Sequence, residues 1–360
     1  MGKRLEGKTI LITGASSGIG RSTALEFART SPKNLKLIIT ARRQDQLQQL
    51  AQTIEREVGS GVQVLPVKLD MSQRSEIKSF ISSLPKDFQA IDVLVNNAGM
   101  VRGVAKAGEI ADDDIQIMLD TNVHGLIHMT QAVLQGMKAR SESGQGDIIN
   151  IGSIAGREGY PGGAIYCATK AAVRSFTEAI RKELIATRIR VVEIDPGQVE
   201  TEFSVVRFGG DKAKADAVYK GVTPLTPDDI AETIVFAAGR PENVVIADML
   251  VFPNHQVRLL SPLFSFLSCA DGWERQRRRL CTGGKRRRAS DDLLGCGDRD
   301  ASKAFEDVDC TYKPRRTHVM NIPVHAFTST DPTGASHSSS CPPNPHAPAR
   351  LRSTGTSDAP

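Results

Sequence analysis

Short, continuously apolar runs rich in valine and isoleucine punctuate the chain. "KTILIT" (8–13), "LKLIIT" (35–40), "VQVLPV" (62–67) and "IDVLVN" (91–96) come first, and "DIINIG" (147–152), "IRVVEI" (189–194) and "ADMLVF" (247–252) follow. Runs of this length without polar alternation fit strands buried on both faces of a parallel sheet. Between them, apolar residues recur at helical spacing over 18–30, 44–57, 112–139, 164–187 and 227–239. Strand and helix alternate, so the expected fold is a single doubly wound α/β domain with a seven-stranded parallel sheet and right-handed crossovers. It occupies residues 1–255.

After Pro253 the pattern stops. "WERQRRRLCTGGKRRRAS" is a charge run, and the final stretch is rich in Pro, Ser, Thr and Gly. Such composition cannot bury enough apolar surface to offset chain entropy, so residues 256–360 are expected to be a disordered, basic, Cys/Pro/Ser-rich tail. The net charge of +5 comes entirely from this tail, because acids and bases balance up to residue 255. Three readings of the tail stand: a regulatory or nucleic-acid-binding extension, a plain disordered tail, or a reading-frame artefact. The abrupt change in Cys, Trp and Arg usage favours the artefact. No nucleic-acid partner is expected of the body.

Cysteine divides the same way. Cys167 alone lies in the body, which excludes a disulfide framework there and suits a reducing compartment, the cytoplasm, or the nucleus if the basic runs act as a signal. The tail cysteines form neither a CxxC pair nor an alternating Cys/His pattern, so no metal is expected. No run approaches the roughly 20 apolar residues needed to cross a bilayer, and the start of the chain reads neither as a signal peptide nor as a membrane partner.

"ITGASSGIGRS" joins the first strand to the first helix, with Gly14, Gly18 and Gly20 spaced G-x3-G-x-G and Ser16 and Ile19 between them. Glycine permits a sharp turn and a close backbone approach to a pyrophosphate, and the helix N-terminus offers unpaired N–H groups to that anion. The second strand ends in "TARRQ". Where a carboxylate would accept from the ribose hydroxyls of NAD, this chain has Ala41 followed by Arg42 and Arg43. A guanidinium fork suits the 2′-phosphate of NADP, and Arg42, nearer the strand end, is the better candidate. Asp70 stands where an acid could meet the adenine amino group, although it could equally cap the helix that starts near Ser72. In "VNNAG", Asn96 and Ala98 would flank the adenine ribose and Gly99 would leave room for backbone contact.

"TGASSGIG", "NNAG", "GSIAG", "YCATK" and "PGQVET" stand in the order and spacing of the short-chain dehydrogenases/reductases, and over residues 5–253 the chain resembles that family. Within it, "NIGSIAGREGYPGGAIYCATKAAVRSFTEAIRKEL" is similar to NADP-dependent 3-hydroxy acid dehydrogenases, also described as serine or L-allo-threonine dehydrogenases. The resemblance implies a Rossmann-like fold, NADP as cofactor, a homotetramer built on helices 112–139 and 164–187, and a catalytic tetrad of Asn122, Ser153, Tyr166 and Lys170. It also implies that Pro196 and Gly197 shape the wall beneath the nicotinamide and that Val199 and Thr201 hold its carboxamide.

The tetrad has a chemical logic. Hydride transfer from an alcohol also requires a proton to leave, and Tyr166 would take and return it. A phenol titrates near pH 10, so a neighbouring ammonium and a positive nicotinamide are expected to favour its phenolate. Lys170 at i+4 shares its helix face and would also bind the nicotinamide ribose. Ser153 would hold the substrate oxygen, and Asn122 a water linking Lys170 to solvent. Cys167 reads as packing. Asp195 has no role in this reading.

A 3-hydroxy acid also needs a grip on its carboxylate. Arg157, in "GREGYPGG", and Arg207, in the flexible segment after "VETEFS", are the substrate candidates, each of which could equally be a solvated surface residue. The leading expectation is therefore an NADP-dependent oxidoreductase acting on small 3-hydroxy acids. The rivals are a broad carbonyl reductase on the same scaffold and a non-catalytic NADP-sensing regulator.

Overall fold

The computed structural model describes residues 2–141 and 143–256. The expectations for residues 257–360 lie outside the described residues. Seven strands form one parallel sheet: β1 (Thr9–Thr13), β2 (Leu35–Ala41), β3 (Val62–Lys68), β4 (Val93–Asn96), β5 (Gln145–Ile151), β6 (Arg188–Pro196) and β7 (Asp248–Val251). Their order across the sheet is β3-β2-β1-β4-β5-β6-β7. Each apolar run of the sequence became a strand, because helices cover both faces of the sheet.

Alternation along β1 shows how. Ile10 and Ile12 point into one core, with Phe27 of α1 (Gly18–Thr30), Leu50 of α2 (Gln44–Val58) and Ile234 of α9 (Pro227–Ala238). Leu11 points into the other, with Phe80 of α3 (Arg74–Ser83), Met129 of α5 (Leu126–Lys138) and Ile180 of α6 (Ala164–Glu183). All three β1 residues are fully buried, so period-2 geometry makes every position apolar. α9 starts on a capping box in which Thr226 and Asp229 exchange bonds and Pro227 opens the helix.

The chain runs outward from β1 to β3 and then returns to place β4 on the other side of β1. That reversal leaves a crevice at the carboxyl ends of β1 and β4, where open parallel sheets bind ligands.

The predicted helix over 112–139 is interrupted. α4 (Asp112–Leu119) and α5 are separated by a π-helical segment, Asp120–Gly125. The wider turn lies against the loop after β3: a Cβ on Gly125 would sit 2.2 Å from the Met71 carbonyl oxygen. α3 had only its start anticipated, and the segment expected to be flexible after "VETEFS" holds the end of α7 (Glu202–Arg207), which begins within that motif, and all of α8 (Lys212–Ala217). Two helices of six residues are too short for their periodicity to register. The packed body also extends past residue 255, because Gln256 is buried and its Oε1 accepts from the Gln198 N–H at 2.8 Å. No helix among the described residues is long and apolar enough to cross a membrane.

Candidate active site

A cleft of about 460 Å³ opens at that crevice. Gly14, Ser16, Gly18, Ile19, Arg42, Asp70, Ala98 and Gly99 line its outer end, and Ser153, Tyr166, Lys170, Pro196, Gly197, Val199 and Thr201 line the inner. Gly14 and Gly18 adopt φ of 70° and 53°, conformations that favour glycine. A Cβ on Gly14 would lie 2.8 Å from Ala98 Cα, so the turn is pressed against the strand beside it.

Gly20 does not line the cleft. A Cβ there would meet Asn97 Nδ2 at 2.4 Å and the Gly14 carbonyl oxygen at 2.5 Å, so its bareness lets α1 sit under the loop. Ser17, the N-cap of α1, makes no side-chain capping bond. The first-turn N–H groups of α1 are thus left to an anion. Bare turn, open helix end and flanking arginines fit the pyrophosphate and 2′-phosphate of a dinucleotide.

The two arginines behave differently. Arg42 is exposed, lines the cleft and has no bonded partner among the described residues. Arg43 also lines it, but its Nη2 donates to Ser16 Oγ (3.0 Å), Ser17 Oγ (2.9 Å) and Glu202 Oε2 (2.9 Å). It therefore bridges the glycine loop and the start of α7. Asp70 lines the cleft while its Oδ1 accepts from the Ser72 N–H and hydroxyl (3.0 and 2.8 Å), a tight local turn; it does not cap the helix, because α3 starts at Arg74 with Gln73 as its N-cap.

Asn96 is a correction. Its side chain is buried between the sheet and α5, donating to Thr130 Oγ1 and Asn150 Oδ1, both at 2.9 Å. The residue facing the cleft is its neighbour Asn97, whose Nδ2 donates to the Thr13 carbonyl (2.9 Å) and ties β4 to the glycine loop. The signal was available: Asn96 shares the face of Leu94, which belongs to the helix-covered core.

At the inner end, Tyr166 is 9% exposed and packs edge-on against Phe203, with centroids 5.4 Å apart. Burial raises the phenol pKa above its ordinary value and Tyr160 pushes it further up, while the Ser153 hydroxyl and the Arg207 charge pull it down. Lys170 donates to the Ile151 carbonyl at 2.7 Å and stands 6.0 Å from the Tyr166 ring centroid. Burial brings the Lys170 pKa down to about 8, against the opposing pull of Asp195 and Glu193.

Asn122 is buried in the π-helical segment. Its Oδ1 accepts from the Met100 N–H (2.8 Å), and its Nδ2 donates to the Met100 carbonyl (2.8 Å) and Thr169 Oγ1 (3.1 Å). The side chain is committed to protein and shapes the wall beside Gly99. Cys167 is a buried free thiol whose pKa burial raises, which matches packing and not nucleophilic use.

The substrate candidates part company. Arg157 does not enter the cleft: its Nε donates to Asp195 Oδ2 at 2.6 Å, and its Nη2 pairs with Asp248 Oδ1 at 3.1 Å. Its expected role in gripping substrate falls, because a buried carboxylate already holds it. Arg207 lies behind the lining, 5.0 Å over the Tyr160 ring, with Nη2 donating to the Gly162 carbonyl (3.4 Å). Its Nε is buried without a partner among the described residues. Phe203 and Val206 of α7, unmarked in the sequence, complete the apolar wall around Tyr166.

The chain matches the model of the family described as short chain dehydrogenase over residues 8–208. It is 57% identical over 253 residues to the NADP-dependent 3-hydroxy acid dehydrogenase of Schizosaccharomyces pombe, covering 70% of this chain and 95% of that protein. It is 40% identical over 248 residues to sulfoacetaldehyde reductase 2 of Chromohalobacter salexigens, covering 69% and 94%. Among solved structures, the closed form of serine dehydrogenase complexed with NADP+ aligns with a TM-score of 0.63 and 41% identity, over 69% of this chain and 95% of that one.

Proposed function

This chain belongs to the short chain dehydrogenase family, and from that premise we propose that it moves a hydride between NADP and the 3-hydroxyl of a small 3-hydroxy acid, with Tyr166 as acid–base. It is an NADP-dependent oxidoreductase acting on a CH–OH group. One observation carries the mechanistic reading: the phenol of Tyr166 and the hydroxyl of Ser153 share the inner wall of a cleft whose outer end holds the bare glycine turn and Arg42.

When bound, NADP supplies the nicotinamide that accepts or gives the hydride. The chain's own residues do the rest. Ser153 holds the substrate oxygen, and Tyr166 exchanges the proton with it. Burial keeps the phenol protonated at neutral pH, the state that can give a proton to a carbonyl oxygen during reduction. For oxidation the phenol must shed that proton, which a positive nicotinamide and the Arg207 charge favour. Lys170, with its pKa brought to about 8, is placed to bind the ribose and to trade protons near neutral pH. Phe203 and Val206 exclude water from the reacting carbon.

The substrate carboxylate is assigned to Arg207, whose unpartnered Nε stands behind the apolar wall. A small turn of α7 would bring it to the cleft. The likeness to a relative named for sulfoacetaldehyde, itself an anion, favours the same type of substrate. L-Serine and L-allo-threonine are the proposed members. The broad carbonyl reductase stays as a second reading, because Lys170 is the sole cation among the lining residues at the inner end. Assembly into a homotetramer belongs to the same proposal and is read by light scattering.

The test is NADP reduction by the full chain with L-allo-threonine, L-serine, 3-hydroxypropionate and 2-butanol, repeated with Arg207→Met. The acids should be preferred, and the variant should raise their KM roughly 10-fold or more, as loss of a charged hydrogen bond implies, with the KM for 2-butanol unchanged and any loss of kcat through Tyr166 shared by all four substrates. Equal changes in KM for acid and alcohol would refute the assignment of Arg207. Inactivity on every substrate with NADP still bound would favour the regulator.

A further inference from the structure

We propose that Asp195, near the end of β6, is a positioning residue of the reaction: with Arg157 it clamps both ends of the turn that presents the Ser153 hydroxyl to Tyr166. The inference rests on the role proposed above for Ser153.

The turn is one 3-10 helical turn, Ile154–Gly156, between Ser153 and Arg157. At its start, Asp195 Oδ1 accepts from the Ser153 N–H at 3.0 Å. At its end, Asp195 Oδ2 accepts from Arg157 Nε at 2.6 Å. One carboxylate thus grips the residue before the turn and the residue after it. The Ser153 side chain is oriented from the other side, because its Oγ accepts from the Ala155 N–H at 3.1 Å. With both the main chain and the side chain of Ser153 tied, its hydroxyl has little freedom left.

The local sequence is built around this approach. β5 and β6 pair in register up to Ile151 and Ile194, and the Gly152 N–H donates to the Ile194 carbonyl at 2.8 Å. Asp195 therefore emerges directly opposite Gly152 and Ser153. A Cβ on Gly152 would lie 1.9 Å from Asp195 Oδ1 and 2.8 Å from Glu193 Oε1. Only a glycine leaves room for the carboxylate to reach the Ser153 N–H. Burial, and then Asp195 itself, push the Glu193 carboxyl well above the usual range.

Net stability is a weak explanation of this arrangement. Asp195 is 1% exposed, and a buried ion pair usually gains little over apolar packing of the same shape. Two short charge-assisted bonds from one carboxylate do fix geometry. Their target matters because an error of about 1 Å in the placement of a reacting group can cost on the order of 100-fold in rate.

The experiment compares wild type, Ser153→Ala, Asp195→Asn and the double variant as full chains. It reads kcat for L-serine oxidation and the dissociation constant of NADPH. Asp195→Asn should lower kcat about 10- to 100-fold and leave NADPH affinity within about twofold. In the Ser153→Ala background it should lower kcat less than about threefold further, because two changes acting through one hydroxyl do not multiply. A full multiplicative loss in that background, or a kcat unchanged by Asp195→Asn alone, would overturn the inference. If Ser153→Ala leaves kcat intact, the role of Ser153 fails and this inference with it, an outcome distinct from the other two. Arg157→Met removes the second half of the clamp without touching Asp195, and it carries the same comparison should Asp195→Asn fail to fold.

Discussion

Arg42 and Arg43 are not equivalent, and the difference predicts how each contributes to a preference for NADP over NAD. Arg42 has no bonded partner among the described residues, so meeting a phosphate breaks nothing. A charge-assisted bond of this kind contributes roughly 1.5–3 kcal/mol, which is about 10- to 150-fold in affinity. Arg43 starts from bonds to Ser16, Ser17 and Glu202. Its ion pair with Glu202 is half-exposed, at 47% and 57%, and is worth about 0–1 kcal/mol. Leaving that pair and the seryl hydroxyls offsets much of what a phosphate returns, so Arg43→Ala should weaken NADPH by less than about 10-fold. Glu202→Gln should tighten NADPH by up to about 5-fold, since it frees Arg43 and removes a like charge from the phosphate end. The assay is titration of the reduced nicotinamide's own fluorescence, with NADH as the control ligand. NADH should be indifferent to all three changes. Arg42→Ala weakening both dinucleotides equally, or Arg43→Ala costing more than Arg42→Ala, would refute the argument.

Three further outcomes are expected. Lys170 titrates near 8 when folded, against an ordinary 10.5; the unfolded chain therefore binds more protons between those values, and stability attributable to Lys170 rises with pH across that window. The advantage in thermal midpoint of Lys170→Met over wild type should accordingly shrink from pH 7 to pH 10, by the equivalent of about 2–3 kcal/mol; an unchanged gap would show that burial does not disfavour the ammonium. Asn96→Ala should cost about 2–3 kcal/mol in urea unfolding by stripping a buried donor from Asn150 and Thr130, with NADPH affinity nearly unchanged; a large affinity loss would restore Asn96 to the cleft. Gly20→Ala should weaken NADPH by about 10-fold or more, since 1–3 kcal/mol of overpacking falls on the Gly14 carbonyl and Asn97; wild-type affinity would mean that α1 shifts freely.

How far the candidate site could be read depended on the range of the interactions involved. The glycine turn, the arginine pair, Ser153, Tyr166 and Lys170 were all visible as local patterns, and each lines the cleft. Tyr166 and Lys170 needed only the i,i+4 geometry of α6. Arg157 was misread because its partner Asp195 lies 38 residues away, and proximity to Ser153 in sequence said nothing about where its side chain would turn. Asp195 had no role until the β5–β6 register set it against Gly152. Asn122 stands where its pattern placed it, but a π-helical segment seats its amide against Met100, and an unbroken helical periodicity cannot reveal one.

By itself the sequence determined the layered parallel sheet, the place of the dinucleotide end and the presence of Ser153, Tyr166 and Lys170 at the inner wall. These follow from short-range rules: period 2 in strands, period 3.6 in helices, and the backbone freedom of glycine. Tertiary structure alone decided which of two adjacent asparagines faces the cleft, which arginine is already bonded, and which buried charges act on Lys170 and on Tyr166. Those outcomes turn on strand register and burial, and both are set by contacts between segments far apart in the chain.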